Sequence, residues 1–213
     1  MGSSGKRRQG PPARPLVAFD FDGTLSFRDS FMAFLAWRSG PLAYASGLLR
    51  LAPASIAYLV HRDRGRLKAA AVRVFLRGLS KEQLQGACDD FANSPLGHRL
   101  IRPDAEQRWR DWQSRGAELV IVTASPEEVV APFARRLGAD GLIGTRLLYD
   151  SVGRVAGAFL GENCRGLEKV VRLEATYGKG VRLAAAYGDS SGDRELLGLA
   201  EEKGYRVFAG RPG

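Results

Sequence analysis

The 213 residues, 45% of them apolar, suffice to bury a real core, either as one large domain or as a domain carrying a smaller insertion. Two cysteines, Cys88 and Cys164, and two histidines, His61 and His98, argue for a reducing compartment and against a disulfide framework, a thiolate metal site or a histidine-rich zinc site, so a metal would be held by oxygen. The net charge of +9 is uneven: residues 30–81 carry nine Lys and Arg against one acid, Asp63, and residues 1–14 add four more, leaving the remainder at −3. The basic part is therefore set to face something anionic, and the carboxylates lie elsewhere.

Residues 1–14 are Gly, Ser, Pro, Lys and Arg with no apolar run. They read as a flexible basic arm and lack the apolar region of a secretory signal. The stretch PLVAFDFDGTLS, Pro15 to Ser26, opens as a buried strand and then delivers Asp20 and Asp22 before Gly23 breaks it. Carboxylates at the end of a buried strand must be neutralised, and a divalent cation with a phosphate is the natural partner; taken alone, the stretch also fits an ordinary polar turn.

From Phe31 to Val60 the chain turns apolar, but Arg38, Gly40-Pro41, Arg50 and Pro53 cut the run well short of the roughly 18 residues that a membrane span needs. The pieces form either a packed helical subdomain, which short apolar runs favour, or a segment that dips into an interface with Arg50 snorkelling. Residues 62–78 predict an amphipathic helix with Leu67, Ala70, Ala71, Val74 and Phe75 inward and a purely cationic polar face, Arg66, Arg73 and Arg77. A capping box, Ser80 to Gln83, opens a further helix reaching Ala92. Residues 29–95 thus read as an all-helical insertion.

The second half alternates strand and helix. A helix over 103–115 carries Trp109 and Trp112 inward; a strand over 117–122 ends in Thr123, Ala124 and Ser125; a helix runs from Pro126 to Leu137. Residues 142–149 and 154–159 predict a hairpin, 166–177 a helix bearing Lys169, 181–187 a strand ending at Asp189, and 205–209 a closing strand. Such repeats imply an α/β fold with a parallel sheet flanked by helices. Three strands then end in chemistry on one edge, Asp20/Asp22, Thr123/Ser125 and Asp189/Asp193, with Lys169 as a lone ammonium to balance acids and phosphate.

DFDGT, IVTAS, a Lys and YGDSSGD, in that order, resemble the four motifs of the haloacid dehalogenase superfamily of phosphohydrolases over residues 16–209. The resemblance implies a Rossmann-like core, residues 15–28 and 96–213, and a helical cap, residues 29–95, of the phosphoserine-phosphatase-like subclass. Within it, NCRGLEKVVRLEATYG and the basic, apolar cap look most like the bacterial phosphatidylglycerophosphatase C group. Asp20 is then the implied nucleophile and Asp22 the general acid and base. One Asp20 oxygen, the Asp22 backbone carbonyl and Asp189 are the implied Mg²⁺ ligands; Thr123 and Lys169 bind phosphate, and Asp193 supports. Phosphoserine phosphatases carry a Glu that reads the substrate amine where Asp29 stands here, which lowers the phosphoserine reading; Asp29 also suits a plain helix N-cap.

The resulting expectation is dephosphorylation of phosphatidylglycerophosphate to phosphatidylglycerol by a cytoplasmic protein, peripheral on the inner face of the cell membrane and bound to its anionic surface. A soluble phosphatase of the phosphoserine type is the main rival. A nucleic-acid binder would use the same basic face but gives no reason for the acids and Lys169, so no nucleic acid is expected.

Overall fold

The computed structural model describes residues 14–61 and 64–212, so the arm over residues 1–13 and the expected helix start at Arg62 lie outside the described residues. Arg14, grouped with the arm on composition, is fixed to the folded part: it donates to the carbonyls of Gly116 (3.0 Å) and Ala117 (2.8 Å) and pairs with Asp140.

Five parallel strands form the central sheet in the order β3-β2-β1-β6-β7: β1 (Leu16–Phe19), β2 (Glu118–Pro126), β3 (Gly141–Thr145), β6 (Leu183–Gly188) and β7 (Ala200–Tyr205). Residues buried on both faces, such as Val17, Ala18 and Phe19, make β1 the centre, with β2 and β6 on either side. The chain reverses its winding direction there, and the carboxyl ends of β1, β2 and β6 share one edge.

Between β1 and β2 run α1 (Ser30–Arg50), α2 (Ala52–His61), α3 (Arg64–Phe75), α4 (Lys81–Asn93), the single turn α5 (Pro95–His98) and α6 (Pro103–Ser114). Asp29 caps α1, and Ser80 with Gln83 forms the expected capping box on α4. The α1 root, α4 and the later helix α7 (Glu127–Leu137) are joined to the sheet by an aromatic chain: Phe34 to Phe91 (5.6 Å between centroids), Phe91 to Phe133 (6.0 Å) and Phe133 to Phe21 (5.4 Å). On the opposite side, Phe19 stacks on Tyr187 at 4.4 Å and packs on Trp109, while Trp112 Nε1 donates to the Tyr187 hydroxyl at 2.9 Å, holding α6.

The apolar run over 31–60 divides between the two expected arrangements. Its first part is buried at Phe31, Ala33, Phe34 and Leu35, but Gly40 at φ 71° breaks α1 ahead of Pro41, and beyond it Leu42 (87%), Leu49 (77%), Ile56 (63%) and Leu59 (72%) stand in solvent. Among the described residues no single helix is long and apolar enough to cross a membrane; α1 with Ala52–Leu59, bent by 52°, is so only as a pair. In α3 Ala71 is buried and Ala70, Val74 and Phe75 pack partly buried against the core as expected, Val72 is buried beside them, and Leu67 lines the cavity.

Three other differences have local causes. The expected first arm of the hairpin divides: β3 joins the main sheet, and only β4 (Leu147–Tyr149) pairs with β5 (Val155–Phe159). Strand β2 continues through Thr123–Pro126 rather than stopping at Val122. The closing strand is β7, five residues early; as an edge strand it pairs only with β6, so Glu201, Glu202 and Lys203 are exposed and mask it. The later helices are α8 (Leu167–Tyr177) and α9 (Arg194–Gly198), the latter entered by a 3₁₀ turn, Ser191–Asp193.

One half-buried acid is costly. Tyr149 donates to Glu128 Oε1 at 2.9 Å, but Oε2 is buried without a partner among the described residues, and burial holds the carboxyl above its ordinary range. A carboxyl so raised gives its full stability below its unfolded value, near pH 4, and loses it as pH climbs through the folded one. Glu128→Gln keeps an acceptor for Tyr149 and removes the charge. Calorimetry should show melting raised by about 2–4 °C at pH 7 and unchanged near pH 4; an equal shift at both would point to packing instead.

Candidate active site

Backbone pairing sets the geometry: the Asp20 N–H donates to the Tyr187 carbonyl at 2.9 Å, which brings the carboxylate to the shared strand edge. Lys169, in the first turn of α8, reaches it from below and is buried. Its Nζ donates to Asp20 Oδ1 (2.6 Å), Asp193 Oδ1 (2.6 Å) and the Val122 carbonyl (2.7 Å), so all three ammonium hydrogens are used. Burial alone would lower the Lys169 pKa, but the two carboxylates outweigh it and hold the amine above its usual range. Asp193 is likewise pushed up by burial yet held below the ordinary value by Lys169 and by the Ser190 N–H and hydroxyl, at 2.9 and 2.8 Å. Burial pushes Asp20 up to about 7 despite Lys169.

One oxygen each from Asp20, Asp189 and Asp193 lies within 4.8 Å of the others. Both Asp193 oxygens are spent on Lys169 and Ser190, whereas Asp20 Oδ2 has only the Thr24 hydroxyl at 3.4 Å and the half-buried Asp189 carboxylate accepts no hydrogen bond among the described residues. Burial, then Asp193, raises Asp189. Gly23 makes room: with φ +85°, a Cβ there would sit 2.3 Å from Asp189 Oδ2. An all-oxygen, half-satisfied acidic set of this kind fits a hard divalent cation such as Mg²⁺, with Asp20 and Asp189 as the side chains free to bind it.

The Asp22 side chain points away from that set. Its Oδ1 accepts from the Ser30 N–H (2.8 Å) and hydroxyl (2.5 Å), its Oδ2 from the Ser125 hydroxyl, and Lys68 Nζ stands 3.9 Å off. Burial, then the charge of Asp29, raises its pKa against those donors, which suits a proton donor. Asp29 does two things at once: Oδ1 caps α1 at Met32 N (2.8 Å), and Oδ2 faces Lys68 at 3.7 Å. Thr123 is buried at the same strand end, but it does not line the cavity, and its Oγ1 accepts from the Ser125 N–H at 3.1 Å.

Lys68 is the residue that helical spacing does not single out. It crosses from α3 to within 3.3 Å of Ser125 Oγ and 3.5 Å of the Ala124 carbonyl. The resulting cavity of about 580 Å³ has Asp20, Asp22, Lys169 and Asp189 on one wall and Met32, Leu48, Leu51, Tyr58 and Leu67 on the other.

The model of the haloacid dehalogenase-like hydrolase family matches residues 17–198. The chain belongs to the haloacid dehalogenase-like hydrolases. This hydrolase is 57% identical over 197 residues to Protein CicA of Caulobacter vibrioides, covering 92% of this chain and 88% of that one. It is 28% identical over 211 residues to a probable phosphatase of Mycobacterium tuberculosis, covering 88% and 67% of the two chains. Among solved structures, a substrate-bound phosphoserine phosphatase complex superposes with a TM-score of 0.63 at 20% identity, over 93% of this chain and 90% of that one, so the haloacid dehalogenase-like fold is shared.

Proposed function

We propose that this hydrolase is a phosphomonoesterase that removes phosphate from a lipid at an anionic membrane surface, converting phosphatidylglycerophosphate to phosphatidylglycerol. The observation that carries the lipid part is the double role of α1 and α2. Leu48, Leu51 and Tyr58 line the cavity from within, while Leu42, Leu49, Ile56 and Leu59 present an apolar outer face beside Arg50, with no acid between Ser30 and His61.

In the proposed reaction an Asp20 oxygen attacks phosphorus while the ester P–O bond breaks, and Asp22 gives its proton to the departing alkoxide. Asp22 then takes a proton from water, which attacks the aspartyl phosphate and releases inorganic phosphate and free Asp20. Lys169 holds Asp20 in line through its 2.6 Å contact, and the buried Thr123 acts behind it, fixing the Ser125 N–H at the same strand end rather than lining the cavity. A Mg²⁺ held by Asp20, Asp189 and the Asp22 backbone carbonyl would neutralise phosphate charge.

The protein should sediment with phosphatidylglycerol vesicles and release from them as salt rises, since each cation contributes on the order of 1 kcal/mol there. The double variant Leu49→Glu, Ile56→Glu should weaken this by about 100-fold or more, each buried leucine or isoleucine being worth about 1.5–3 kcal/mol. Indifference to such vesicles, with phosphate released only from soluble esters, sinks the lipid reading.

A second reading has its own support. Asp29 and Lys68, opposite charges 3.7 Å apart near Asp22, are suited to the amine and carboxylate of phosphoserine. Faster turnover of phosphoserine than of any lipid phosphate in one panel decides for it.

A further inference from the structure

The active-site cavity continues past Arg165 into a wider polar cleft between α3 and the loop after β5; Tyr58, Asn163 and Arg165 line both. Arg165 is a built feature of that junction. Thr145 ties its loop to the sheet edge: its hydroxyl, with one hydrogen to give, lies 3.0 Å from the Ala124 carbonyl and 2.9 Å from Asn163 Oδ1, and accepts from the Cys164 N–H (3.0 Å). The side chain then lies flat over Gly192, where a Cβ would come within 2.4 Å of Nη1 and 2.7 Å of Cγ. Gly192 has no left-handed φ to account for its being glycine, so the room it leaves for Arg165 is the reason for it.

The charge of Arg165 is unspent. Its guanidinium meets only hydroxyls, Ser190 Oγ at 3.4 Å and Ser191 Oγ at 2.9 Å, and it has no ion pair among the described residues, Glu162 of the same cleft included. Arg172, one helical stretch further on, shows the contrast: it is consumed by Glu168 and by the carbonyls of Gly144 and Glu162. A planar fork held at a cavity wall with no carboxylate paired to it among the described residues is suited to a phosphate.

We infer that Arg165 binds a second phosphate of the substrate, a phosphodiester one short alcohol away from the monoester that Asp20 attacks. The inference rests on the phosphomonoesterase reading but not on its lipid part. Its test uses water-soluble compounds without acyl chains: competitive inhibition of p-nitrophenyl phosphate turnover by glycerol 3-phosphate and by its glycerophosphodiester, which carries both phosphates. The two-phosphate compound should inhibit at least about tenfold more strongly. Arg165→Ala should bring that ratio close to one, and Arg165→Lys should leave it intermediate, because a point charge replaces a fork. A ratio near one in the unaltered protein overturns the inference. So does an Arg165→Ala variant that weakens both inhibitors equally, since Arg165 would then only brace the Ser190–Ser191 loop. Failure to turn over p-nitrophenyl phosphate at all defeats the phosphomonoesterase reading and this inference with it, whereas failure to bind vesicles touches neither.

Discussion

Asp20→Asn is expected to lower phosphomonoester turnover by on the order of 10⁴-fold or more while leaving the fold intact. A carboxamide cannot form the phosphoryl bond, yet it fills the same space and can still accept from Lys169. Stability should not suffer. Asp20, Asp189 and Asp193 face a single Lys169, so removing one acid relieves an excess of negative charge. The sign follows from Asp20 itself: a carboxyl pushed up to about 7 gives its full stability below about pH 4 and loses it as pH rises through 7. In chelator-treated protein at pH 8 the variant should therefore melt no lower than the parent. Retained turnover removes Asp20 from the chemistry.

Lys169→Met should be the most damaging substitution for the fold. It leaves the buried Asp20 and Asp193 carboxylates and the Val122 carbonyl without their shared donor, and breaking one side of a buried ion pair costs about 3–5 kcal/mol. Turnover should also fall by on the order of 10³-fold, as when a preorganised donor is lost from a transition state. Urea unfolding reads the first effect and steady-state kinetics the second. Because the damage comes from repulsion among the acids left behind, adding Asp20→Asn to Lys169→Met should restore part of the stability and none of the activity. A single variant that unfolds like the parent would show that these contacts do not hold the site together.

Sequence patterns reveal elements whose burial they encode and miss those that owe their state to neighbours. The strands that lead to Asp20, Thr123 and Asp189 are legible because fully buried strands are apolar throughout, and their order puts three sets of acids and hydroxyls on one edge, although β2 runs on to Pro126. Strand β7 was displaced because AEEKGY has the composition of a solvated loop, and its state comes from the pairing of Leu183–Gly188 beside it. In the sequence Lys68 stands only as one of the nine cations over residues 30–81, since periodicity separates inward from outward but not water from a covered cavity. The exposed half of α1 stays open between two readings for the same reason: an apolar run states what it avoids, not which surface relieves it. Of the two roles the sequence offers for Asp29, the structure shows the helix cap, through Oδ1, and sets Oδ2 against Lys68, a pairing that neither role contains.

The break at Gly40–Pro41 divides labour along α1. Upstream, Ser30 grips Asp22, Phe34 joins the aromatic chain, and Phe31 and Leu35 are buried beside it, so this root has little freedom to vary without disturbing the hydrogen bonds of Asp22. Downstream, Gly47 is the only buried residue of α1, so length and sequence there can drift while the reaction stays the same. A lineage could thereby change what the enzyme grips without rebuilding how it cuts.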